Sequence, residues 1–314
     1  MYINSVGHYL PEERVPNEYF LDINGLSDEW IFTRTGIKTR SKIKEGEDTN
    51  TMGFEAVKSA EKNLPYPIQD VDLIIGGSYT PSDTVGTLAH FIQQQYDISN
   101  TKTVYISSAC SSYTNALEIV EGYFALGKAS KALIIVSECN TLYNPESDSR
   151  SGHLWGDGAA SVFISKERVS DNDYEIIDII THGLANVGKG PDGVWLHPHN
   201  EGLIMPAGKD VFLNACVYMK EVTQEIIDKN NIKTSDLTYL IPHQANVRII
   251  NNVIEQLGIP NEKVLNNIDR LGNTGCASTV IAISENIDKF KKGDLVCQSV
   301  FGGGYSSGAV LFRV

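Results

Sequence analysis

The sequence predicts an α/β fold built from two similar halves. Short apolar runs of strand character alternate with longer stretches in which apolar residues recur every three to four positions. This alternation is typical of a sheet that helices cover on both faces. A polar, charged stretch at Ser165–Tyr174 marks the predicted boundary, so the halves are residues 1–170 and 171–314.

The first half is predicted to contain three buried strands and two helices. The strands are Asp72–Gly77, Thr103–Ser107 and Lys131–Ser137, and the helices are Thr87–Tyr96 and Ser112–Leu126. The apolar residues of the second helix are spaced three to four apart, so they share one face.

The second half repeats the pattern. The predicted elements are a helix at Asp210–Asn230, a strand at Leu237–Ile241, helices at Asn246–Leu257 and Ala277–Phe290, and a closing hairpin at 294–314. Small residues precede a helix in both halves, SSACSS in the first and NTGCAS in the second, which favours an internal duplication.

Composition narrows the class of function. The 314 residues carry a net charge of −13 and the few basic residues are scattered, which argues against nucleic-acid and anionic-membrane partners. No run approaches the roughly 18–20 apolar residues of a membrane helix. The first residues lack the basic and apolar regions of a signal peptide. We therefore expect a cytoplasmic protein.

Five cysteines are dispersed along the chain: Cys110, Cys139, Cys216, Cys276 and Cys297. None forms a C-x-x-C pair, so we expect free thiols and neither a disulfide framework nor a metal site. Cys110 lies between a strand and a helix, where the helix macrodipole is expected to stabilise a thiolate and lower the thiol pKa. A buried, inert thiol is the alternative. Cys276 is the rival thiol, but its small neighbours indicate packing.

Two further strings carry polar side chains that can bind a ligand. IPHQAN places His243 at the carboxyl end of a strand, where α/β sheets have their sites, and Asn246 in the first turn of the next helix. DRLGNTGCAS holds Asn273 between Gly272 and Gly275, as in a tight turn that exposes one polar side chain. A helix-capping histidine and an Asn-centred turn are the structural alternatives.

Three consecutive glycines, Gly302–Gly304, follow a predicted strand near the C-terminus. Their backbone N–H groups can donate to an oxyanion, although a plain hairpin turn also explains them. The absence of a following Gly-Lys-Ser/Thr excludes a phosphate-binding P-loop. Together, these strings supply a thiol nucleophile, two polar side chains and backbone donors for an oxyanion.

The strings resemble those of the β-ketoacyl-acyl-carrier-protein synthase III family of the thiolase superfamily, and the resemblance runs essentially end to end. Further strings that carry it are SDEWIFTRTGI at Ser27–Ile37, MGFEA at Met52–Ala56 and GDGA at Gly156–Ala159. The resemblance implies a thiolase-like, five-layer αβαβα fold from two duplicated halves, and a homodimer.

The resemblance also implies a catalytic set. Cys110 would be the nucleophile, His243 and Asn273 would support decarboxylation, and the backbone of Cys110 and Gly303 would form the oxyanion hole. The enzyme would be an acyltransferase that takes an acyl group from coenzyme A onto Cys110. It would then condense that group with a decarboxylating, malonyl-type carrier-protein thioester in fatty-acid initiation. No metal or redox cofactor is implied.

Substrate-binding residues follow from the same resemblance. Trp30 and Arg34 would hold the adenine end of coenzyme A, with Arg150 near that nucleotide. Asn246 would help to fix the pantetheine end or the His243 network. Arg248 would remain from the basic patch that docks an acyl carrier protein.

The sequence departs from the family pattern in three places. Thr84–Thr87 replaces a loop with Phe-Pro that normally reaches across the dimer to bound the acyl pocket, and Cys110–Tyr113 reads CSSY instead of CAGF. Leu213, Glu255 and Gln256 occupy positions that are often lysine in the docking patch. The loss of positive charge at this patch should slow docking of an acidic carrier protein. Together, the three differences favour a specialised paralogue with an unusual carrier or second substrate.

Three other functions remain open on the sequence alone. One is a specialised ketosynthase of secondary metabolism, of resorcinol, quinolone or polyene type, which would use the same three residues on a different thioester pair. Another is a cysteine hydrolase, because Cys, His and Asn occur in the papain-like order, although the papain-type string is absent. The third is a catalytically silent partner subunit, although such partners usually lose the nucleophile.

Overall fold

Thirteen strands and ten α-helices make up the fold in the computed structural model, which describes residues 1–314. The strands are β1 (Tyr2–Tyr9), β2 (Glu13–Pro16), β3 (Thr39–Lys42), β4 (Leu73–Gly77), β5 (Lys102–Ile106), β6 (Lys131–Glu138), β7 (Gly158–Ser165), β8 (Tyr174–Gly183), β9 (Trp195–His197), β10 (Gly202–Ile204), β11 (Tyr239–Pro242), β12 (Leu295–Gly302) and β13 (Ser306–Arg313). The helices are α1 (Tyr19–Asn24), α2 (Asp28–Thr35), α3 (Thr49–Glu61), α4 (Leu88–Gln95), α5 (Ser112–Ala125), α6 (Asn140–Tyr143), α7 (Gly208–Lys229), α8 (Val247–Leu257), α9 (Ile268–Leu271) and α10 (Ser278–Glu285).

Nine strands pair in the order β11-β12-β13-β8-β1-β7-β6-β4-β5. In the first half β4 and β6 are parallel, and β6, β7 and β1 are successively antiparallel. In the second half β11 and β12 are parallel, and β12, β13 and β8 are successively antiparallel. This repeated topology is the duplication that the sequence predicts. The predicted boundary at 170/171 lies in the loop between β7 and β8.

The pairing of β5 with β4 in the first half has only a single bridge as its counterpart in the second half. In the first half β5 pairs in parallel with the outer edge of β4. In the second half the corresponding partner of β11 is one parallel bridge, Leu240 to Val264, supported by the Leu265 N–H donating to the Leu240 carbonyl at 3.0 Å. One edge of the sheet is therefore the full strand β5. At the other edge, Val264 and Leu265 pair with β11 at one position only.

Five layers stack through the molecule. Helices α5 and α10 form the central layer, because each packs against strands of both halves. Helices α3 and α4 cover the outer face of the first-half strands, α7 covers the outer face of the second-half strands, and α8 packs beside α7. The largest buried apolar cluster surrounds α5 and α10. This is the αβαβα arrangement that the resemblance implies.

Local signals place some boundaries well and others poorly. Helix α8 begins where Asn246 caps it, its side chain accepting from the Arg248 N–H, and ends at Gly258 with φ of 65°. The predicted helix 277–290 is too long, because α10 stops at Glu285. There the Asn286 side chain donates to the Ala282 carbonyl at 2.8 Å and satisfies a terminal acceptor. No helix has the length and apolar character needed to cross a bilayer.

Candidate active site

A mostly apolar cavity of about 270 Å³ receives side chains from both halves. Cys110 and Trp155 enter it from the first half, and His243, Asn273 and Phe301 enter it from the second. The structure thus brings the three predicted catalytic side chains to one cavity, although they are separated by up to 163 positions in the chain.

The Cys110 loop turns sharply before α5. Ala109 has a positive φ of 47°, which is uncommon for a residue with a Cβ. Cys110 follows it and lies two residues before the first residue of the helix, with its thiol partly exposed to the cavity. The backbone N–H groups of Gly303 and of Cys110 itself donate toward this sulfur. Two backbone donors therefore converge where negative charge would develop.

The expected low pKa of the Cys110 thiol is wrong. Burial raises the pKa of Cys110 to about 12, and the Glu138 carboxylate adds to the increase. The N–H groups of Gly303 and Cys110 lower it, but by less. The helix start alone does not compensate for desolvation and for an acidic group that lies 28 positions away in the sequence.

The turn between β12 and β13 fits tightly against the Cys110 loop. A Cβ atom on Gly302 would lie 3.0 Å from the Ser111 nitrogen and 3.1 Å from the Cys110 nitrogen. These are backbone atoms that cannot move aside cheaply, so the strand must carry glycine here. The glycines therefore do more than close a hairpin, because they let the Gly303 N–H approach the thiol.

His243 follows the last residue of β11 and is buried. Its Nδ1 lies 2.8 Å from the Ser278 hydroxyl, at the first residue of α10. Ser278 has no other side-chain partner, so we assign its hydroxyl as the donor and the ring hydrogen to Nε2, which has no protein partner. Burial lowers the pKa of His243 to about 4, so the ring is neutral near pH 7.

Asn273 is fixed by its own loop. Its Oδ1 accepts from the Gly275 N–H at 3.0 Å, and its backbone N–H donates to the Leu154 carbonyl at 2.9 Å. The side chain lines the cavity, and its Nδ2 has no protein partner. The predicted Asn-centred turn exists, and it leaves the amide N–H groups of Asn273 free to donate to a ligand.

The predicted nucleotide-binding residues lie outside the cavity. The Arg34 guanidinium stacks over the Trp30 indole at 4.4 Å, and Arg150 pairs with Asp148 at 2.9 Å. The Trp30 ring also contacts the ring of His153, which is in the same loop as Arg150. Trp30 and Arg34 are therefore in direct contact, and the loop that carries Arg150 contacts Trp30 through His153.

Asn246 and Arg248 occupy the start of α8. The Asn246 amide is partly engaged, because its Oδ1 accepts from the Arg248 N–H at 2.8 Å and only Nδ2 remains. The Arg248 guanidinium is exposed and lies 5.8 Å from the centre of the Phe212 ring.

One end of the cavity faces the start of α8. Ala245 and Ile249, which flank it, line the cavity. Helix α2, with Trp30 and Arg34, packs on α8 so closely that a Cβ on Gly36 would lie 2.5 Å from Val247. The surface around Trp30 and the cavity are thus neighbours.

Sequence reasoning missed four residues at the site: Tyr79, Glu138, Trp155 and Ser278. Ser278 closes the string DRLGNTGCAS and could have been found there as a polar residue at a helix start. Tyr79 comes after β4, and Glu138 is the last residue of β6. Because β4 and β6 are parallel, both residues lie at the edge of the sheet where α/β proteins have their sites, and this position could have been used to find them. Trp155 precedes Gly156 and carries no signal of its own.

Comparisons with known proteins settle the family. Residues 105–183 match the family model for 3-oxoacyl-[acyl-carrier-protein] synthase III, and residues 227–314 match the model for its C-terminal part. The curated β-ketoacyl-[acyl-carrier-protein] synthase III of Aquifex aeolicus is 36% identical over 313 residues, covering 99% of this chain and 98% of the relative. The chain belongs to the β-ketoacyl-acyl-carrier-protein synthase III family.

Other members of the family agree with this assignment. The enzyme of Clostridium perfringens is 35% identical over 98% of this chain and 97% of its own length. The crystal structure of the Aquifex aeolicus enzyme superposes with a TM-score of 0.92, covering 100% of this chain and 99% of that one. The protein is therefore a thiolase-fold condensing acyltransferase. The comparisons favour fatty-acid initiation over the secondary-metabolite alternative, and they give no support to a hydrolase.

Proposed function

We propose that this ketosynthase condenses an acyl-coenzyme A primer with a malonyl-type acyl-carrier-protein thioester to start fatty-acid synthesis. The observation that carries the assignment of residues is the shared cavity of Cys110, His243 and Asn273. Within it two backbone N–H groups point at the Cys110 sulfur. A thiol, two side-chain donors and two backbone donors are the parts that a decarboxylative condensation needs.

The first half-reaction loads Cys110. Its sulfur attacks the thioester carbonyl, and the N–H groups of Cys110 and Gly303 stabilise the oxygen of the tetrahedral intermediate. Collapse breaks the carbon–sulfur bond to coenzyme A, whose departing thiolate takes the thiol proton. The products are acyl-Cys110 and free coenzyme A. Because burial raises the pKa of the Cys110 thiol, the proton stays on the sulfur until the attack and then passes to the departing thiolate.

The second half-reaction forms the carbon–carbon bond. A malonyl thioester in the same cavity loses CO₂, and the electron pair of the broken bond forms an enolate. The Nε2–H of His243 and the Nδ2–H of Asn273 donate to the enolate oxygen as its charge develops. The nucleophilic carbon then attacks the carbonyl of acyl-Cys110, the carbon–sulfur bond to Cys110 breaks, and the released thiolate takes a proton from solvent.

Neutral His243 suits this role. An imidazolium would have to be desolvated inside an apolar cavity, which burial disfavours. The Ser278 hydroxyl holds Nδ1 as an acceptor and so keeps the hydrogen on Nε2, where the enolate needs it. Ser278 acts through His243 and is a positioning residue.

Coenzyme A enters this scheme as a substrate, and no metal or redox cofactor takes part. Trp30 and Arg34 would hold its adenine end, with Arg150 near that nucleotide. The free Nδ2 of Asn246 would donate to the pantetheine arm as it passes the start of α8. The arm would then reach Cys110 from the Ala245 and Ile249 end of the cavity.

The carrier protein would dock beside the same entrance. Arg248 supplies a positive charge there, but Leu213 is 53% exposed where a lysine would strengthen the attraction. With few basic side chains at this surface, association with the carrier protein would be slower and less sensitive to salt than at a strongly basic patch.

A homodimer in the cytoplasm completes the proposal. Strand β5 is the last strand of the sheet, and four of its five residues are only half-buried. An exposed strand edge tends to pair with another strand, and a second β5 offers the symmetric partner. A solution mass near twice 34.5 kDa by light scattering would support the dimer, whereas the monomer mass would contradict it.

The central experiment offers the purified protein a panel of acyl-coenzyme A thioesters. Intact mass would identify any acyl group retained on Cys110, and malonyl-carrier protein added afterwards should release a β-ketoacyl product. Absence of label with every thioester would contradict the proposal. Steady release of free acid without carbon–carbon bond formation would do so as well.

A further inference from the structure

The two backbone N–H groups that point at the Cys110 sulfur come from different halves of the molecule. Cys110 lies in the loop before α5, and Gly303 follows the last residue of β12. A hydrogen bond weakens steeply when its donor is displaced or tilted, so two donors serve one oxygen only if their segments keep a fixed separation. The glycine turn must therefore be held against the Cys110 loop.

A side-chain hydrogen bond joins these two segments. The hydroxyl of Ser306, the first residue of β13, donates to the Ser111 hydroxyl at 2.9 Å. Ser111 comes directly after Cys110, and Ser306 comes three residues after Gly303. The bond thus links the segment that carries one backbone donor to the segment that carries the other.

Ser111 is wholly buried, whereas Ser306 is half-buried. Neither hydroxyl has another protein partner. A buried hydroxyl without a partner costs free energy, so Ser111 favours the position of the turn in which Ser306 reaches it.

The Ser111 hydroxyl also lies where the glycine turn comes closest. A Cβ atom on Gly302 would be 2.9 Å from the Ser111 Oγ. This close approach limits how near the turn can come to the Cys110 loop, and the bond from Ser306 limits how far the turn can move away. The Gly303 N–H is therefore restrained in both directions.

The string CSSY at Cys110–Tyr113 is one of the departures from the family pattern CAGF. An alanine at position 111 would offer no acceptor to Ser306. The bond between the two halves is thus a property of this chain that the substitution itself creates.

We propose that Ser111 and Ser306 are positioning residues that hold the Gly303 N–H in place and so set the strength of the oxyanion hole. Neither side chain lines the catalytic cavity, so both act through the backbone beside them. This inference rests on the proposed function, because it concerns the oxyanion formed in acyl transfer.

The test compares two reactions of the same sulfur. Acyl transfer from a thioester passes through an oxyanion, whereas alkylation by iodoacetamide forms a carbon–sulfur bond, releases iodide and leaves the thiol proton to solvent. Acetyl-, butyryl- and hexanoyl-coenzyme A are each offered, and intact mass gives the initial rates of acylation and alkylation. Because both reactions use Cys110, their ratio cancels changes in thiol reactivity and in the folded fraction.

We expect S111A and S306A each to lower the ratio of acylation to alkylation about tenfold. The loss should be smaller than the 10²–10³-fold effect of removing a donor, because the Gly303 N–H is displaced but still present. The effect should fall on the maximal acylation rate and leave the half-saturating concentration of the thioester unchanged. The double variant S111A/S306A should match a single variant, because one bond can be lost only once.

Two variants serve as controls. S306T keeps the hydroxyl and should keep the ratio of the unaltered protein. Ser161 is also buried, and its hydroxyl donates to the Ala56 carbonyl at 3.0 Å, which joins β7 to α3. S161A therefore loses a comparable buried bond outside the oxyanion hole and should leave the ratio unchanged.

An unchanged ratio in folded S111A and S306A overturns the proposal, and either variant provides the test if the other does not fold. An equal fall in S161A or in folded S306T overturns it as well, because the bond between Ser111 and Ser306 would not be the cause. Multiplied losses in the double variant would show two independent effects and would also contradict it. If the unaltered protein is alkylated at Cys110 but takes no acyl group from any thioester, the proposed function fails, which is a separate result.

Discussion

Cys110 and Cys276 lie at matching places in the two halves. Each precedes a helix of the central layer, α5 or α10, in a chain segment of small residues. Cys276 is sealed, with 1% of its surface exposed, and its thiol donates to Glu138 at 2.8 Å. Cys110 faces the cavity, and two backbone N–H groups point at its sulfur.

The difference shows that a helix start does not by itself make a nucleophile. Burial raises the pKa of both thiols, and Glu138 raises both further. Cys110 has in addition the glycine turn, which supplies the Gly303 N–H, and a cavity that can hold a thioester. The halves share a topology, but donors and space meet a thiol only at Cys110, and both halves contribute to them.

The largest effect should separate the two cysteines directly. C110A should abolish acyl-enzyme formation and reduce condensation by at least about a thousandfold, as loss of a covalent nucleophile does. C276A should keep acyl-enzyme formation, because the Cys276 thiol is sealed from the cavity. Intact mass after incubation with acyl-coenzyme A measures both. Label retained by C110A and lost in C276A would reverse the assignment.

The next effect separates the two half-reactions. H243A and N273A should still form acyl-Cys110, but each should lower the rate of condensation about 10²–10³-fold, the usual loss for one oxyanion donor. S278A should reduce condensation less, because it disorders the His243 ring without removing it. Label and β-ketoacyl product are measured separately. Equal loss of both signals would show that these residues serve loading instead.

A smaller effect tests the glycine turn. G302A should destabilise the fold by about 1–3 kcal/mol, because its Cβ would press on the backbone of Cys110 and Ser111. Gly122 in α5 is the control, because a Cβ there meets nothing within 4 Å. G122A should stabilise the protein by up to about 1 kcal/mol, as alanine favours a helix. Urea denaturation measures both, and equal stability of the two variants would argue against the close contact.

The smallest effect concerns the Glu138 carboxylate, which raises the pKa of both thiols. The Glu138 carboxylate opposes a nearby thiolate, so E138Q should lower the pKa of Cys110 and move its alkylation by iodoacetamide to lower pH. The pH profile of Cys110 modification, followed by mass spectrometry, gives the direction. C276S, which keeps the Glu138 carboxylate, is the matched control. A profile that does not shift, or that shifts to higher pH, would show that Glu138 does not raise the pKa of Cys110.

Features encoded in neighbouring residues could be predicted from the sequence. The capping Asn246 and the closing Gly258 lie beside α8, so its bounds follow from the chain itself. The alternation of elements predicted a sheet covered by helices on both faces. The resemblance of the strings implied the five layers and the set of Cys110, His243 and Asn273. The extent of α10 was missed because its end depends on a side-chain bond of Asn286.

Properties that depend on distant residues could not be predicted. The Cys110 pKa is set by burial and by Glu138, and neither is visible near position 110. The partner of His243 is Ser278, which lies 35 positions away. The contact between Tyr79 and Gly275 exists only because two distant segments come together in the folded chain.

The unequal ends of the sheet have a consequence for assembly. Val264 and Leu265 occupy the outer side of β11, whereas β5 has a neighbour on one side only. The nine-stranded sheet thus has one fully open edge. In the proposed dimer the two β5 strands would pair and each copy would use that edge, so a third copy could not join there. Association through β5 would stop at a closed pair instead of growing into a filament.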